Sequence, residues 1–293
     1  MAHEQDLHDR GLGFDLETLL GRRRALKLLA GAGLLTLAGC AGSRTHESSG
    51  TSSSTATTTS GTGASTTATT AAGSAGSTGS AADCTSAIPE ETGGPYPADG
   101  TNGPNVLRQS GIVRSDIRSS FTASTGTAKG VPLTINLTIL NKNKSCAALS
   151  NAAVYVWHCN QDGLYSLYSQ GVRDQNYLRG VQTTDKSGRV TFRSIFPACY
   201  SGRWPHIHYE VYPSLSKATT ASGKIATSQI ALPEDACRLV FATDGYSSSL
   251  SNLSRVTLAT DNVFGDGYSH ELGTMGGSVA KGFTVELSVP VSA

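Results

Sequence analysis

The run from His206 to Tyr212 constrains the fold more than any other stretch, because its residues alternate as those of a β-strand do. Successive side chains of a strand point to opposite faces, so His206 and His208 share one face and apolar side chains fill the other. The sequence therefore predicts a strand that presents two imidazoles to one point. A histidine pair alone is weak evidence for a metal, since strand histidines often bond only to the backbone.

Two tyrosines on neighbouring loops strengthen the prediction of a metal site. Tyr200 lies six residues before His206, and Tyr165 follows a glycine turn after a predicted strand. A tyrosinate is a hard anionic donor with an ordinary pKa near ~10, so it needs a strongly Lewis-acidic cation to stay ionised at neutral pH. Ferric iron fits best, because zinc prefers histidine, cysteine or carboxylate ligands. Two alternatives stay open: a zinc or copper site on His206 and His208, and ligation by Tyr168 in place of Tyr165.

Short runs of β-branched and alternating residues continue through most of the chain beyond residue 116. They predict strands over residues 132–140, 153–157, 239–242 and 283–291, a hairpin over 182–192 that turns at 185–188, and short helices near 250–260. Tyr155 and Trp157 are expected in the core. Many short strands separated by Gly, Pro and Asn are typical of two packed sheets. The predicted fold class is all-β, a β-sandwich with long active-site loops and one or two short helices.

Residues 41–82 are dominated by Ser, Thr, Gly and Ala, with almost no apolar side chain larger than alanine. Such a segment buries too little apolar surface to offset the entropy of ordering, so we expect a disordered linker. The folded domain is then expected over residues 83–293. A net charge of +1 with 15% charged residues gives no sign of a nucleic-acid surface, and a small-molecule ligand is expected.

The first forty residues have the pattern of an export signal. Arg22 and Arg23 precede an apolar run over 28–37, as in a twin-arginine signal, and residues 37–40 resemble a bacterial lipobox that ends in Cys40. The apolar run is well short of the ~20 residues that span a bilayer, which argues against a transmembrane anchor. We therefore expect lipidation of Cys40, and a protein anchored to the outer face of the cell membrane or extracellular if released.

Four segments carry a resemblance to a known family: Gly163-Leu-Tyr165, residues 180–192, Tyr200 to His208, and Thr227-Ser-Gln229. Together they resemble the intradiol ring-cleavage dioxygenases, which include protocatechuate 3,4-dioxygenase and catechol 1,2-dioxygenase. The resemblance spans about residues 84–270, and the order Tyr, Tyr, His, His with an arginine before the first histidine is specific to it. Residues 157–159, 177–180 and 202–203 resemble the exported, single-chain branch.

The resemblance implies a non-haem Fe(III) enzyme that uses O2 to cleave a catechol ring between its two hydroxylated carbons, giving a muconate-type product. The implied iron ligands are Tyr165, Tyr200, His206 and His208. Tyr200 is also the ligand expected to leave when the catechol binds. Arg203 is expected to stabilise negative charge that develops on the ring, and Gln229 to line the same pocket. The alternative for Arg203 is a surface arginine paired with a carboxylate such as Glu210.

Several features keep more than one interpretation. Tyr96, in a Gly-Pro-Tyr turn of the segment 88–97, either lies on the active-site side, as the resemblance implies, or is a surface aromatic. If Cys40 is lipidated, five cysteines allow at most two disulfides of undetermined pairing: Cys84, Cys146, Cys159, Cys199 and Cys237. We expect neither a cysteine nor His158 to bind the metal.

The competing class of function is a non-catalytic tethered β-sandwich that binds aromatics or glycans. Such a module has no need of a complete ligand quartet together with Arg203, and this favours the enzyme. The expected partners are a catechol and O2, with membrane contact through the lipid anchor only and no nucleic acid. The identity of the catechol and the oligomeric state, with a homodimer among the options, are open.

Overall fold

The computed structural model describes Cys84 and residues 86–293. The export signal over residues 1–40, the lipidation of Cys40 and the linker over 41–82 lie outside the described residues and stay predictions. Within the described part of the chain, no helix has the length and apolar character needed to cross a membrane.

Nine β-strands form two sheets in the described part of the chain, accompanied by two short α-helices. The strands are β1 (Pro132–Asn141), β2 (Ala147–Ala148), β3 (Ala153–Trp157), β4 (Arg179–Thr183), β5 (Arg189–Ile195), β6 (His206–Tyr212), β7 (Ala226–Ala231), β8 (Thr274–Ser278) and β9 (Gly282–Val291). The helices are α1 (Glu234–Phe241) and α2 (Ser249–Leu253), and single 3-10 turns occur at Lys142–Lys144, Leu215–Lys217, Ala221–Gly223 and Phe264–Asp266. The predicted all-β sandwich is confirmed.

The first sheet is built on β1, which has neighbours along both of its edges. On one edge β9 runs parallel to it over nine registered pairs, and β8 continues the sheet beyond β9. On the other edge β5 pairs antiparallel with residues 132–138, and the short β2 pairs with residues 140–141. Alternate side chains of β1 are buried, namely Leu133, Ile135, Leu137 and Ile139. The predicted strands over β1, β3 and β9 agree with the structure to within one residue.

The second sheet has the order β4-β3-β6-β7 and is antiparallel throughout. Ile207 of β6 is paired with Ile230 of β7 on its apolar face. Gly273 lies between Ile230 and Val285 of β9, since a Cβ on Gly273 would meet both side chains. The apolar faces of the two sheets therefore pack on each other, and the burial of this area drives the assembly of the sandwich.

β6 is buried on both of its faces, because all seven of its residues are buried. An antiparallel sandwich strand commonly leaves one face to solvent, so a further layer must cover the face that carries His206 and His208. Loops between the strands and residues 88–98, here called the N-terminal arm, form that layer. Polar groups buried beneath it need partners inside the protein.

The N-terminal arm is tied to both sheets. A disulfide joins Cys84, just before the arm, to Cys146 in the loop after β1. The amide of Ile88 donates to the carbonyl oxygen of Pro290 in β9 at 2.8 Å, and that of Glu91 donates to the carbonyl oxygen of Thr227 in β7 at 2.7 Å. The remaining described cysteines are buried free thiols: Cys159, Cys199 and Cys237.

The hairpin predicted over residues 182–192 is wrong, although its turn at 185–188 is present. β4 pairs with β3 in the second sheet, whereas β5 pairs with β1 in the first. The turn therefore carries the chain from one sheet to the other. A turn signal specifies only that the chain reverses. The partner of β5 is set by Val190 and Phe192, which are buried when β5 extends the first sheet.

The strand predicted over residues 239–242 is also wrong, because this stretch closes α1. Glu234 and Asp235 occupy the first turn of α1, where negative charge stabilises a helix N-terminus. Leu239 is 60% exposed while Val240 and Phe241 are buried, which is a helical and not a strand pattern. Four consecutive apolar residues do not distinguish a helix from a strand. By contrast, the short helix predicted near residues 250–260 is present, because α2 covers Ser249–Leu253.

Candidate metal centre

Four side chains whose polar atoms meet in one place form the candidate metal centre. His206 Nε2 lies 3.1 Å from His208 Nε2, 3.2 Å from Tyr200 Oη and 3.5 Å from Tyr165 Oη. The structure thus brings together all four residues that the sequence analysis named as metal ligands. His206, His208 and Tyr165 are buried, whereas Tyr200 is partly exposed.

A hydrogen bond fixes which nitrogen of His206 faces the centre. His206 Nδ1 lies 2.5 Å from the carbonyl oxygen of Trp204. A carbonyl oxygen only accepts, so Nδ1 carries the proton and Nε2 of the neutral ring presents a lone pair to the other three groups. Burial, and next the charge of Arg203, hold the pKa of His206 well below its ordinary value. Burial, and next His206, act on the pKa of His208 in the same direction, so both rings are neutral.

The turn that carries Tyr165 is shaped by Asn160 and Gly163. Asn160 Oδ1 accepts hydrogen bonds from two turn amides, each at 2.9 Å. Gly163 has a φ of +81°, and a Cβ there would lie 3.1 Å from Tyr200 Cβ. Two independent features therefore favour glycine at this position: the left-handed backbone, and the close approach of the loop that carries Tyr200.

Tyr168, the alternative ligand, has its hydroxyl elsewhere. Its Oη accepts from the amide of Ala98 at 2.9 Å and donates to the carbonyl oxygen of Asn102 at 3.1 Å. Both bonds tie Tyr168 to the N-terminal arm and the turn that follows it. Of the two tyrosines, Tyr165 is the one placed beside the histidines.

Trp157 and the N-terminal arm pack against His208 and enclose the centre on that side. The indole of Trp157 stacks on the imidazole of His208, with ring centroids 4.9 Å apart and planes 5° from parallel. A Cβ on Gly94 would lie 3.4 Å from His208 Cε1, so the arm backbone also lies against this ring. Tyr96 is 7% exposed and packs on Tyr165 with centroids 4.8 Å apart. Tyr96 is therefore not a surface aromatic, and Trp157, expected only in the core, also orients a site histidine.

The donor set suits a hard, highly charged cation. Burial, and next Tyr200, raise the pKa of Tyr165 well above its ordinary value, so the protein alone keeps this phenol protonated. A strong Lewis acid bound to the oxygen reverses that preference. In the described part of the chain, no group of three or more His, Cys, Asp or Glu side chains is arranged to hold a metal ion. The tyrosine oxygens are the further candidate donors beside the two imidazoles, and a set of two phenol oxygens and two imidazoles suits ferric iron.

Arg203 is buried and makes two charge-assisted side-chain contacts. Its Nε donates to Asp261 Oδ2 at 3.0 Å, and its Nη2 donates to Gln229 Oε1 at 2.7 Å. The alternative of a surface arginine paired with Glu210 is wrong, because Arg203 is 3% exposed and Glu210 instead accepts from Lys224 Nζ at 2.8 Å.

Gln229 links Arg203 to the N-terminal arm. It lies opposite His208 in the register of β6 and β7, so both side chains share the face of the sheet that carries the centre. Its Nε2 donates to the carbonyl oxygen of Thr92 at 2.9 Å, while its Oε1 accepts from Arg203. Both the oxygen and the nitrogen of the Gln229 side-chain amide are thus hydrogen-bonded next to the centre.

Asp261 is the site residue that the sequence analysis missed. Its Oδ2 accepts from the amide of Trp204 at 2.7 Å, and its Oδ1 accepts from the amides of Val263 and Phe264 at 2.8 and 3.2 Å. One carboxylate therefore fixes both Arg203 and the loop that carries Phe264. An aspartate that caps the amides after it is a recognisable turn signal. Its ion pair with a residue 58 positions earlier has no such signal.

His158 and the cysteines nearest the centre are engaged elsewhere. His158 Nε2 lies 2.6 Å from Ser194 Oγ, and its Nδ1 lies 2.7 Å from the carbonyl oxygen of Cys159. Burial raises the pKa of the Cys159 and Cys199 thiols to about 12, so both are protonated at neutral pH. A protonated thiol is a poor metal ligand.

Comparison with known proteins finds similarity to dioxygenases over part of the chain. A sequence model described as a dioxygenase family matches residues 102–219. Chlorocatechol 1,2-dioxygenase of Rhodococcus opacus is 32% identical over 83 residues, and catechol 1,2-dioxygenase 2 of Acinetobacter lwoffii is 42% identical over 53 residues. Over part of its length, the chain is therefore similar to catechol 1,2-dioxygenases. The two alignments cover 28% and 18% of this chain, and 26% and 19% of those relatives.

A solved structure has a similar fold. The intradiol ring-cleavage dioxygenase from Tetranychus urticae superposes with a TM-score of 0.56 at 24% sequence identity. The superposition covers 70% of this chain and 94% of that one. The two proteins therefore share a fold.

Replacing Gly163 by alanine tests the close approach of the two tyrosine loops. Gly171 is the matched control, since its φ is +84° and a Cβ there would meet no atom within 4 Å. Both variants carry the cost of a left-handed backbone, about 1–3 kcal/mol, and only Gly163→Ala also displaces Tyr200. We expect Gly163→Ala to lower the free energy of unfolding more than Gly171→Ala in urea titrations. Equal losses of unfolding free energy in the two variants would show that the Tyr200 loop moves aside without destabilising the protein.

Replacing Asp261 by asparagine tests whether it is the counter-charge of Arg203. Glu210→Gln is the matched control, because Glu210 is also a fully buried carboxylate in an ion pair. Arg203 is 3% exposed, so Asp261→Asn strands a buried cation at a cost of about 3–5 kcal/mol. Lys224 is 24% exposed and can turn toward water, so Glu210→Gln should cost less. Chemical denaturation measures both, and a smaller loss for Asp261→Asn would contradict the assignment.

Proposed function

We propose that this chain is a non-haem Fe(III) dioxygenase that uses O2 to cleave a catechol ring between its two hydroxylated carbons, giving a muconate-type product. The observation that carries the proposal is the convergence of two phenol oxygens and a second imidazole within 3.5 Å of His206 Nε2. Tyr165, Tyr200, His206 and His208 would hold the iron. When bound, Fe(III) supplies the Lewis acidity that ionises the phenols and activates a catechol toward O2.

The two tyrosines are held differently, which supports different roles. Tyr165 is 1% exposed, its ring packs against Tyr96, and its amide donates to Ser169 Oγ at 3.0 Å. Tyr200 is only half-buried and lies on a loop. Once ionised by a bound metal, Tyr200 would therefore be able to turn away and take a proton from an incoming catechol, whereas Tyr165 cannot move without unpacking the arm. We assign the proton-accepting role to Tyr200.

Arg203 supplies a fixed positive charge close to the centre. Its charge contributes to the lowered pKa of both His206 and His208. A guanidinium that Asp261 and Gln229 already hold needs no reorganisation when negative charge develops on the ring, so it stabilises that charge effectively.

Phe264 and Trp157 exclude water on two sides of the histidine pair. Both residues are buried, and the Phe264 ring lies 6.5 Å from the His206 ring, measured between centroids. A dry, low-dielectric surrounding strengthens every charge interaction in the centre.

The protein is further proposed to work outside the cytoplasm, held to the outer face of the membrane through lipidated Cys40 or released from it. The twin-arginine pattern and the lipobox over residues 1–40 support this. The Cys84–Cys146 disulfide agrees with it, since structural disulfides are typical of exported proteins.

Metal analysis combined with oxygen consumption tests the proposed function. The purified protein should contain iron, be red-brown from tyrosinate-to-iron charge transfer, and consume O2 with at least one member of a panel of catechols. An iron-free protein that carries zinc or copper would point to an enzyme of another class. A metal-free protein that binds catechols without consuming O2 would point to a binding module.

Phenylalanine variants of Tyr165 and Tyr168 test which of these two tyrosines is the metal ligand. Tyr165→Phe removes one of the two phenol donors, so it should weaken the visible band strongly and lower activity. Tyr168→Phe is the control, because its hydroxyl bonds to the arm and not to the centre. It should keep the band. Absorption spectra at equal protein concentration measure this, and a band lost only in Tyr168→Phe would overturn the assignment.

A double variant tests the role of Arg203 without stranding a charge. Arg203→Gln combined with Asp261→Asn removes both members of the buried ion pair. We expect iron content, colour and the spectral shift on catechol binding to persist, while kcat falls by roughly a hundredfold or more. Unchanged kcat would remove Arg203 from the mechanism, and loss of iron would make its role structural.

A further inference from the structure

We propose that Arg179 of β4 is the positioning residue that locks the N-terminal arm and the Tyr165 turn against the metal centre. The proposal rests on the proposed function only where activity is the readout. In the described part of the chain, no hydrogen bond joins Arg179 to any of the four candidate ligands. Its positioning effect is exerted through the segments that it holds.

Arg179 donates five hydrogen bonds from a side chain that is 1% exposed. Nε donates to Ser166 Oγ at 3.1 Å, and Nη2 donates to the carbonyl oxygen of Ser166 at 2.9 Å. Nη2 also donates to the carbonyl oxygen of Tyr96 at 3.0 Å. Nη1 donates to the carbonyl oxygen of Pro97 at 3.1 Å and to Tyr155 Oη at 3.0 Å. Three separate segments, the arm, the Tyr165 turn and β3, therefore meet on one guanidinium.

None of these partners carries a charge. In the described part of the chain, no carboxylate lies within ion-pair distance of Arg179. Burial of a cation among neutral groups is costly unless its donors are satisfied. The planar fork of an arginine can satisfy five acceptors at fixed angles, which a lysine or glutamine cannot do. The position therefore requires the fork of an arginine and not just a positive charge.

The segments held by Arg179 touch the candidate ligands directly. Ser166 follows Tyr165 in the chain, so two of the five bonds hold the residue next to that ligand, one through its carbonyl oxygen and one through its hydroxyl. The arm places Tyr96 on the Tyr165 ring at 4.8 Å and Gly94 against the His208 ring. If the arm detaches from Arg179, Tyr165 loses its packing against Tyr96, and His208 loses its contact with the backbone at Gly94.

The clamp has a second member in Tyr155. Its Oη donates to the carbonyl oxygen of Pro97 at 2.8 Å while it accepts from Arg179. Tyr155 is fully buried on β3. A Tyr155→Phe variant therefore removes part of the clamp but keeps the ring in the core and Arg179 in place.

Hydrogen exchange of the arm in the metal-free full-length chain is the main test. Arg179→Lys keeps the charge and removes the fork, so amides of residues 88–98 should exchange roughly tenfold faster or more, while β5 and β9 change little. Arg114→Lys is the matched control. Arg114 also donates to main-chain oxygens, those of Arg179, Asn176 and Ser119, and none of these lies in the arm. If Arg179→Lys fails to fold, Tyr155→Phe should show the same acceleration to a smaller extent.

The pattern of results separates positioning from a role in core stability. Arm exchange that is no faster than in Arg114→Lys would overturn the proposal. Steady-state kinetics on iron-loaded protein supply the second readout. Arg179→Lys should raise KM for a catechol several-fold more than it lowers kcat, with the visible band retained. If the unmodified protein has no dioxygenase activity, the proposed function fails while the exchange result still decides the role of Arg179.

Discussion

The burial of β6 on both faces is the constraint on which the rest of the structure depends. One face contributes Ile207 to the packing between the sheets, and the other carries His206 and His208 into an enclosed polar layer. Polar atoms in that layer cannot bond to bulk water, so most must find partners in the protein. His206 Nδ1 donates a hydrogen bond to a backbone carbonyl oxygen, so its Nε2 keeps a lone pair that faces the centre. The burial of this face therefore orients the histidines as candidate metal ligands.

The sequence predicted those parts of the molecule that local periodicity controls. Alternation located β1, β3, β6 and β9 to within one residue, because each strand has one face in the core. The two errors have a common cause. A turn at 185–188 and an apolar run at 239–242 describe the backbone locally. The sheet that a strand joins, or the helix that a run completes, depends on which surface is available to bury it.

The charged contacts of the site could not be predicted, because they join residues far apart in the chain. Asp261 reaches Arg203 across 58 positions, and Arg179 reaches Tyr96 across 83. Neither pair has a spacing that a sequence pattern could reveal. The ligands were accessible for the opposite reason: His206 and His208 lie on one strand, and each tyrosine lies on a turn or loop close to a predicted strand. The sequence therefore predicted the centre itself better than what holds it in place.

The parallel pairing of β1 with β9 has a consequence for the kinetics of folding. β1 is an inner strand, yet one of its edges stays unpaired until residues 282–291 have been synthesised and have crossed back to it. Contacts that close such long stretches of chain must overcome a large loop entropy before they gain any stability. The sandwich should therefore form slowly and only after synthesis of β9. During that interval the open edge of β1 is a template for pairing with another chain, so aggregation competes with folding at this strand.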